Sequence, residues 1–504
     1  VLTIRLADAS PVCGTLAVPV ARDRGPAAID LPDTAGPEAA ALLETVDDPA
    51  RAGSLTVLPR PLRQPDRVLL AGIGDGDEAG WRAAGAAIAR SAHRPEVTVA
   101  VPAGSATEAV RGLAEGLWLA AYRFEAERPD DARPADPARA LDPVRAGERV
   151  RQAALTRVTV TVDHPSAYEA ALAAARATAE ATLLCRDLTN TPSSRKNPAW
   201  FAGQIEQAVG ERPGLGLTVR GPEELVADGF GGILAVGGGS ASEPRLVELA
   251  WRPPTARTHV VLVGKGITFD TGGVSIKPVE GMKLMRKDMA GAAAVVAATL
   301  GAAALALPVR VTALAPLAEN MVSGSAYRPG DVIRHYGGMT SESTNSDAEG
   351  RLVLADALAY AVRHLEPDLL VDLATLTGAN AVALGRRTAA LYSENDELAT
   401  ALTRAASAAG EQAWRMPLAA DYVEYLGSDI ADLHSSPDRG AGSVVAALFL
   451  REFTGPLRDR WAHIDMSAPS WVDAADGELA YGASGWGVRT LVRWFETLAA
   501  DGAE

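Results

Sequence analysis

The chain has 504 residues, 48% of them hydrophobic and 22% charged, with a net charge of −15. That length exceeds what one core organises, so two domains are expected, and the composition excludes a disordered or low-complexity chain. The acidic balance disfavours a phosphate-backbone partner, and two cysteines far apart, Cys13 and Cys185, exclude thiolate-zinc and CxxC redox chemistry and fit reduced thiols in a cytoplasmic protein.

In chain order, residues 1–6 with Arg5 read as a first strand rather than a secretory leader. Strands are predicted at Thr15 to Pro19, Val68 to Gly72, Val97 to Val101 and Val158 to Val162, and helices at Ala83 to Ala92 and Ala106 to Phe124. This alternation predicts a smaller N-terminal α/β domain over 1–163. Within it, Glu125 to Arg149 is rich in Pro, Asp, Arg and Ala without an apolar period, and reads as a surface excursion. Ser166 with Glu169 reads as a capping box that opens an Ala-rich helix to about Arg186, connecting the domains over 164–186.

Residues 187–504 form the larger predicted α/β domain. Buried-type strands at His259 to Val263, Val309 to Leu314 and Leu369 to Leu373 alternate with helices such as Arg351 to His364 and Val444 to Phe453. That pattern implies a parallel or mixed sheet flanked by helices, with chemistry beyond the carboxyl ends of the strands. The uncharged run from Gly291 to Val309 approaches bilayer-spanning length. It consists mostly of Ala and Gly, which insert poorly, so a helix buried on all sides is expected and no membrane partner.

Three segments concentrate the chemistry: GKGITFDTGGVSIKP (Gly264 to Pro278), MRKDMAGAA (Met285 to Ala293) and NSDAEGRLVLADAL (Asn345 to Leu358). Together they supply Asp270, Asp288, Asp347 and Glu349 near strand-to-helix junctions. Asp347 and Glu349, two apart, share a face if that stretch is extended. Four converging carboxylates repel unless cations neutralise them, and two divalent ions would do so. Lys265 could act as a neutral amine ligand if its pKa were lowered. A charged Lys277 could stabilise an oxyanion, and Arg351 offers a forked donor to a small anion. Taken singly, each motif is equally well read as a cap, a tight turn or a helix N-terminus. His463 and Asp465 could be ligands of some other site, but a buried strand histidine hydrogen-bonded to its neighbours is the favoured reading, and Asp429, Asp432 and His434 read as a solvated acidic loop.

These segments closely resemble the motifs of the leucyl aminopeptidase (cytosol aminopeptidase) family. DLTNTPSS (Asp187 to Ser194), DLATLTGA (Asp372 to Ala379), WRMPL (Trp414 to Leu418), AALFLREF (Ala446 to Phe453) and GASGWGVRTLV (Gly482 to Val492) extend the resemblance. It implies a dinuclear metallopeptidase that hydrolyses the N-terminal residue of peptides and aminoacyl amides, with a leucine-like preference and a metal-bridging hydroxide. Lys265, Asp270, Asp288 and Glu349 would hold one metal, and Asp270, Asp347 and Glu349 the other, with the Asp347 main-chain carbonyl. Lys277 would polarise the substrate carbonyl, and Arg351 would bind bicarbonate as general base. Met285, Thr375 and Gly378 would lie near the pocket for the first side chain. Zn²⁺ or Mn²⁺ is expected, with Co²⁺ or Mg²⁺ as alternatives. The resemblance further implies a cytoplasmic homohexamer. Ser346 where the family usually has Thr, and Ala290 where Gly is common, bear on substrate preference. A relative specialised for one biosynthetic peptide and a DNA-binding relative are the rival readings.

Overall fold

The computed structural model describes residues 2–8, 14–22, 31, 35–124 and 155–501, so Cys13 and the excursion at 125–149 lie outside the described residues. The chain divides into two compact units, residues 1–179 with 474–480, and residues 180–473 with 481–504. The division falls inside a single helix, Pro165–Asn190. This helix starts before Ser166, which places Ser166 in its first turn instead of at a cap, and it runs four residues beyond Arg186.

The first unit is built on strands β1 (Thr3–Ala7), β2 (Thr15–Ala21), β3 (Leu55–Pro59), β4 (Arg67–Gly74), β5 (Glu96–Ala100) and β6 (Arg157–Thr161), in the order β1-β6-β5-β2-β4-β3. All neighbours pair in parallel except the edge pair β3 and β4. The helices Glu78–Ser91 and Thr107–Ala121 complete the α/β alternation read from the sequence.

The second unit carries β7 (Leu215–Arg220), β8 (Arg245–Trp251), β9 (His259–Gly264), β10 (Gly266–Asp270), β11 (Arg310–Asn320), β12 (Val332–Arg334), β13 (Thr340–Glu342), β14 (Leu369–Ala374), β15 (Thr388–Tyr392), β16 (Gln412–Arg415), β17 (Leu433–His434) and β18 (Trp461–Asp465). The main sheet is ordered β16-β15-β18-β14-β9-β11-β8-β7, with β10 beside β11. Its centre, β18-β14-β9-β11, is parallel, and antiparallel pairs flank it. Strands buried on both faces read as continuous apolar runs, as HVVLV does. Val260 and Leu262 of β9 enter one core with helix Ala290–Ala304, while Val261 and Val263 enter another with helix Glu349–His364. The period of two along a strand thus produces three layers.

Helix Ala290–Ala304 is buried continuously from Ala290 to Ala302 and packs on β9, β11, β14 and the helix Val488–Asp501. Small side chains let it lie against the sheet. A Cβ on Gly291 would come 2.2 Å from the Leu373 carbonyl oxygen and 2.9 Å from the Lys265 nitrogen, both of them backbone atoms. Gly291→Ala is therefore expected to cost about 1–3 kcal/mol and to lower the calorimetric Tm of this unit. An unchanged transition would show that helix and sheet can separate freely.

Candidate active site

The site gathers where the central parallel strands end. Lys265 follows β9, Asp270 closes β10, Asn320 closes β11, Thr375 follows β14 and Asp465 closes β18. Loops leaving this edge bring Lys277, the 3-10 turn Met285–Lys287 with Asp288 behind it, and the start of helix Glu349–His364. Asp347 and Glu349 do converge, but through a turn and not along an extended stretch. Ala348 between them has φ −110° and ψ 36°, and Glu349 opens the helix. A carboxylate at a helix N-terminus is favoured by the aligned peptide dipoles.

Two ammonium groups stand among the four carboxylates. Lys265 Nζ lies 2.9 Å from Asp288 Oδ2 and 2.8 Å from Glu349 Oε1, and it donates to the Thr375 carbonyl oxygen at 3.1 Å. Lys277 Nζ lies 2.8 Å from Asp270 Oδ2 and also pairs with Asp347. Oxygens of Asp270, Asp347 and Glu349 lie within 4.8 Å of one another. Glu349 Oε2 is buried with no hydrogen-bond partner among the described residues.

The electrostatics follow from this crowding. Burial pushes the Asp270 carboxyl well above the usual range, and Glu349 and Asp288 add to the push. Burial carries Asp288 up to about 6 against the pull of Lys265, and it raises Asp347 as well. Glu349 is pushed up by burial, but Lys265 and Lys277 outweigh that and leave it below its ordinary value. Burial would lower both lysines. Asp288 facing Lys265, and Asp270 facing Lys277, hold them above the ordinary lysine range instead.

All six of these residues open onto one cavity of about 450 Å³, together with Met285, Thr375 and Gly378. Thr375 does more than line it, since its hydroxyl donates to Asp288 Oδ1 at 2.7 Å. Arg351 faces an adjoining cavity of about 260 Å³ that shares Lys277, Asp347 and Gly378. Its Nη1 donates to the Ser435 carbonyl oxygen at 2.7 Å, and burial draws its pKa down to about 10.

Several supporting residues went unread in the sequence. Asn320 donates from one amide to Asp270 Oδ1 at 2.8 Å and to the Ser346 carbonyl oxygen at 3.0 Å, fixing two site segments together. Lys196 is fully buried, and its ammonium group donates to the carbonyl oxygens of Thr189 at 2.9 Å and Arg286 at 2.5 Å. It thereby anchors the turn that carries Asp288. In SSRKNPAW it looks like a surface lysine, and only the partners' positions reveal its role. In TGG, Gly272 has φ +87°, and a Cβ there would meet the Ser275 carbonyl oxygen at 2.4 Å. His463 is a buried strand residue bonded to Asp372 at 2.5 Å, as expected. Asp465, two residues on, accepts from the backbone of Leu376 and Thr377 and shapes the loop after β14. Asp429 and Asp432 are exposed, as read from the sequence, and His434 is half-buried. Asp432 accepts from Thr340, and His434 lies in β17 beside β13.

The sequence model of the cytosol aminopeptidase family catalytic domain matches residues 183–492, and that of the family's N-terminal domain matches 17–129. A "Probable cytosol aminopeptidase" of Streptomyces coelicolor is 43% identical over 473 residues, covering 92% of this chain and 90% of that protein. A protein of the same name from Corynebacterium efficiens is 47% identical over 328 residues, covering 65% and 64%. Among solved structures, "Bottromycin maturation enzyme BotP in complex with Mn" is similar with a TM-score of 0.82 and 37% identity, covering 97% of this chain and 100% of that one. Matched in both domains and by relatives along nearly its whole length, the chain belongs to the cytosol aminopeptidase family of metal-dependent peptide hydrolases.

Proposed function

We propose that this protein is a two-metal aminopeptidase that releases the leading residue of peptides and aminoacyl amides, with a leucine-like preference. The observation that carries this reading is the convergence of oxygens of the buried Asp270 and Glu349 and the half-buried Asp347 within 4.8 Å, where Glu349 Oε2 has no hydrogen-bond partner among the described residues. An all-oxygen carboxylate set of this kind suits divalent cations. Lys265, Asp270, Asp288 and Glu349 would hold one ion. Asp270, Asp347, through its side chain and main-chain carbonyl, and Glu349 would hold the other. When bound, such a pair supplies Lewis acidity and a bridging hydroxide near neutral pH.

The chain's own groups account for the rest. Cations at the carboxylates would relieve the hold of Asp288 and Glu349 on the Lys265 ammonium group and favour its neutral, ligating form. Lys277, at the cavity wall, is placed to donate to a carbonyl oxygen that gains negative charge. Arg351 projects a forked donor into the adjoining cavity, where bicarbonate could accept a proton as general base. Met285, Thr375 and Gly378 border the space for the first side chain. In this reading residues 187–504 are the catalytic domain, and 164–186 join it to an N-terminal domain over 1–163.

Similarity to a structure titled as a manganese complex supports Mn²⁺ among the candidates Zn²⁺, Mn²⁺, Co²⁺ and Mg²⁺. The relatives' printed name supports a cytoplasmic location, and the homohexamer rests on the family resemblance. A second reading, maturation of one specialised peptide, is favoured by the same structure's title. The higher identity to cytosol aminopeptidases supports a general role. A panel of dipeptides and aminoacyl amides separates the two, since broad turnover defeats the specialised reading.

Chelation followed by dialysis should abolish hydrolysis, and added Mn²⁺ or Zn²⁺ should restore it, with metal analysis returning two ions per chain. Lys277→Ala and Asp288→Ala should each lower kcat/KM at least a thousandfold with an unaltered circular dichroism spectrum, and full activity in either would defeat the assignment. In carbonate-depleted buffer, added bicarbonate should stimulate the wild type and leave Arg351→Ala unresponsive.

A further inference from the structure

The reaction described above leaves two cations of the large cavity without a task, Arg386, which pairs with Asp473, and Lys287. Lys287 lies on the cavity wall between Arg286 and Asp288. Its ammonium group donates to the Ser467 carbonyl oxygen at 2.7 Å, and no second acceptor is present among the described residues. An ammonium group carries three N–H donors, so two remain to be satisfied.

The nearby carboxylates are committed elsewhere. Asp288 faces Lys265 and accepts from Thr375. Asp465 accepts from the backbone of Leu376, Thr377 and Ser467 and from the Thr377 hydroxyl. Asp473 is paired with Arg386 in an exposed ion pair on the same wall. Lys287 therefore has no carboxylate of its own within ion-pair distance among the described residues. The apolar part of the wall comes from Leu284, Met285, Ala381 and Trp471. The Trp471 ring is covered by the Arg286 guanidinium at 4.8 Å.

We propose that Lys287 is a specificity-determining residue: its ammonium group favours a leading side chain that crosses the apolar wall and ends in a carboxylate or amide oxygen, and disfavours one ending in a cation. The inference rests on the aminopeptidase reading and refines its leucine-like preference. An acceptor-tipped side chain, as in glutamine or glutamate, completes the donors of Lys287. A lysyl or arginyl side chain brings like charge into a confined space, where repulsion is weakly screened.

The test compares kcat/KM for glutaminyl, glutamyl, leucyl and lysyl amides in the Mn²⁺-loaded wild type, Lys287→Met, Lys287→Gln and Lys287→Arg. The ratio of glutamyl to lysyl turnover is independent of the fraction of folded enzyme. It should fall about tenfold or more in Lys287→Met and Lys287→Gln and be retained in Lys287→Arg. Calorimetric binding of free glutamate against free lysine should shift in the same sense without turnover. An unmoved ratio and unmoved product binding, with leucyl turnover present, overturn the inference alone. Absence of turnover of every amide by the metal-loaded wild type overturns the aminopeptidase reading instead.

Discussion

Mutual repulsion among buried carboxylates is the constraint around which the rest of the catalytic unit is arranged. Two unit charges about 5 Å apart repel by roughly 3 kcal/mol at an effective dielectric of ~20. Oxygens of Asp270, Asp347 and Glu349 lie that close together, and burial raises the Asp270 and Asp347 carboxyls. The chain meets this load by setting Lys265 and Lys277 among the acids and by opening the helix Glu349–His364 with one of them. Yet Glu349 Oε2 keeps no hydrogen-bond partner among the described residues. A carboxylate cluster of this kind is compatible with the metal dependence of the family.

The frame has to be stiff for that arrangement to persist. Parallel strands β18, β14, β9 and β11 end side by side, so residues far apart in the chain arrive at one edge without long flexible excursions. Rigidity comes from close contact: helix Ala290–Ala304 lies against the strand backbone through Gly291, and Asn320 joins the Asp270 strand to the Ser346 carbonyl. Lys196 supports the opposite flank by gripping the backbone of the turn before Asp288. These groups touch no reacting atom, but they limit how far the acids can relax apart.

The same turn links chemistry to selectivity. Asp288 faces the carboxylate cluster, Met285 borders the cavity, and Lys287 between them reaches Ser467 across that cavity's wall. Met285 and Asp288, three apart across a 3-10 turn, turn towards one side, where side chains at i and i+3 eclipse, and both line the same cavity.

The sequence by itself determined the α/β class, the buried Ala-rich helix and the identities of the acids and lysines. Each of these depends on local pattern: apolar runs mark strands buried on both faces, and uncommon residue types recur within short motifs. Spacing was a weaker guide. Asp347 and Glu349 meet through a turn, Ser166 falls inside its helix, and His434 joins a small sheet, because turns and strand pairing depend on partners distant in the chain. Only the tertiary structure decided that Asn320, Asp465 and the buried Lys196 support the site. A polar side chain's role is set by what surrounds it, and for these three the partners lie as many as 90 residues away.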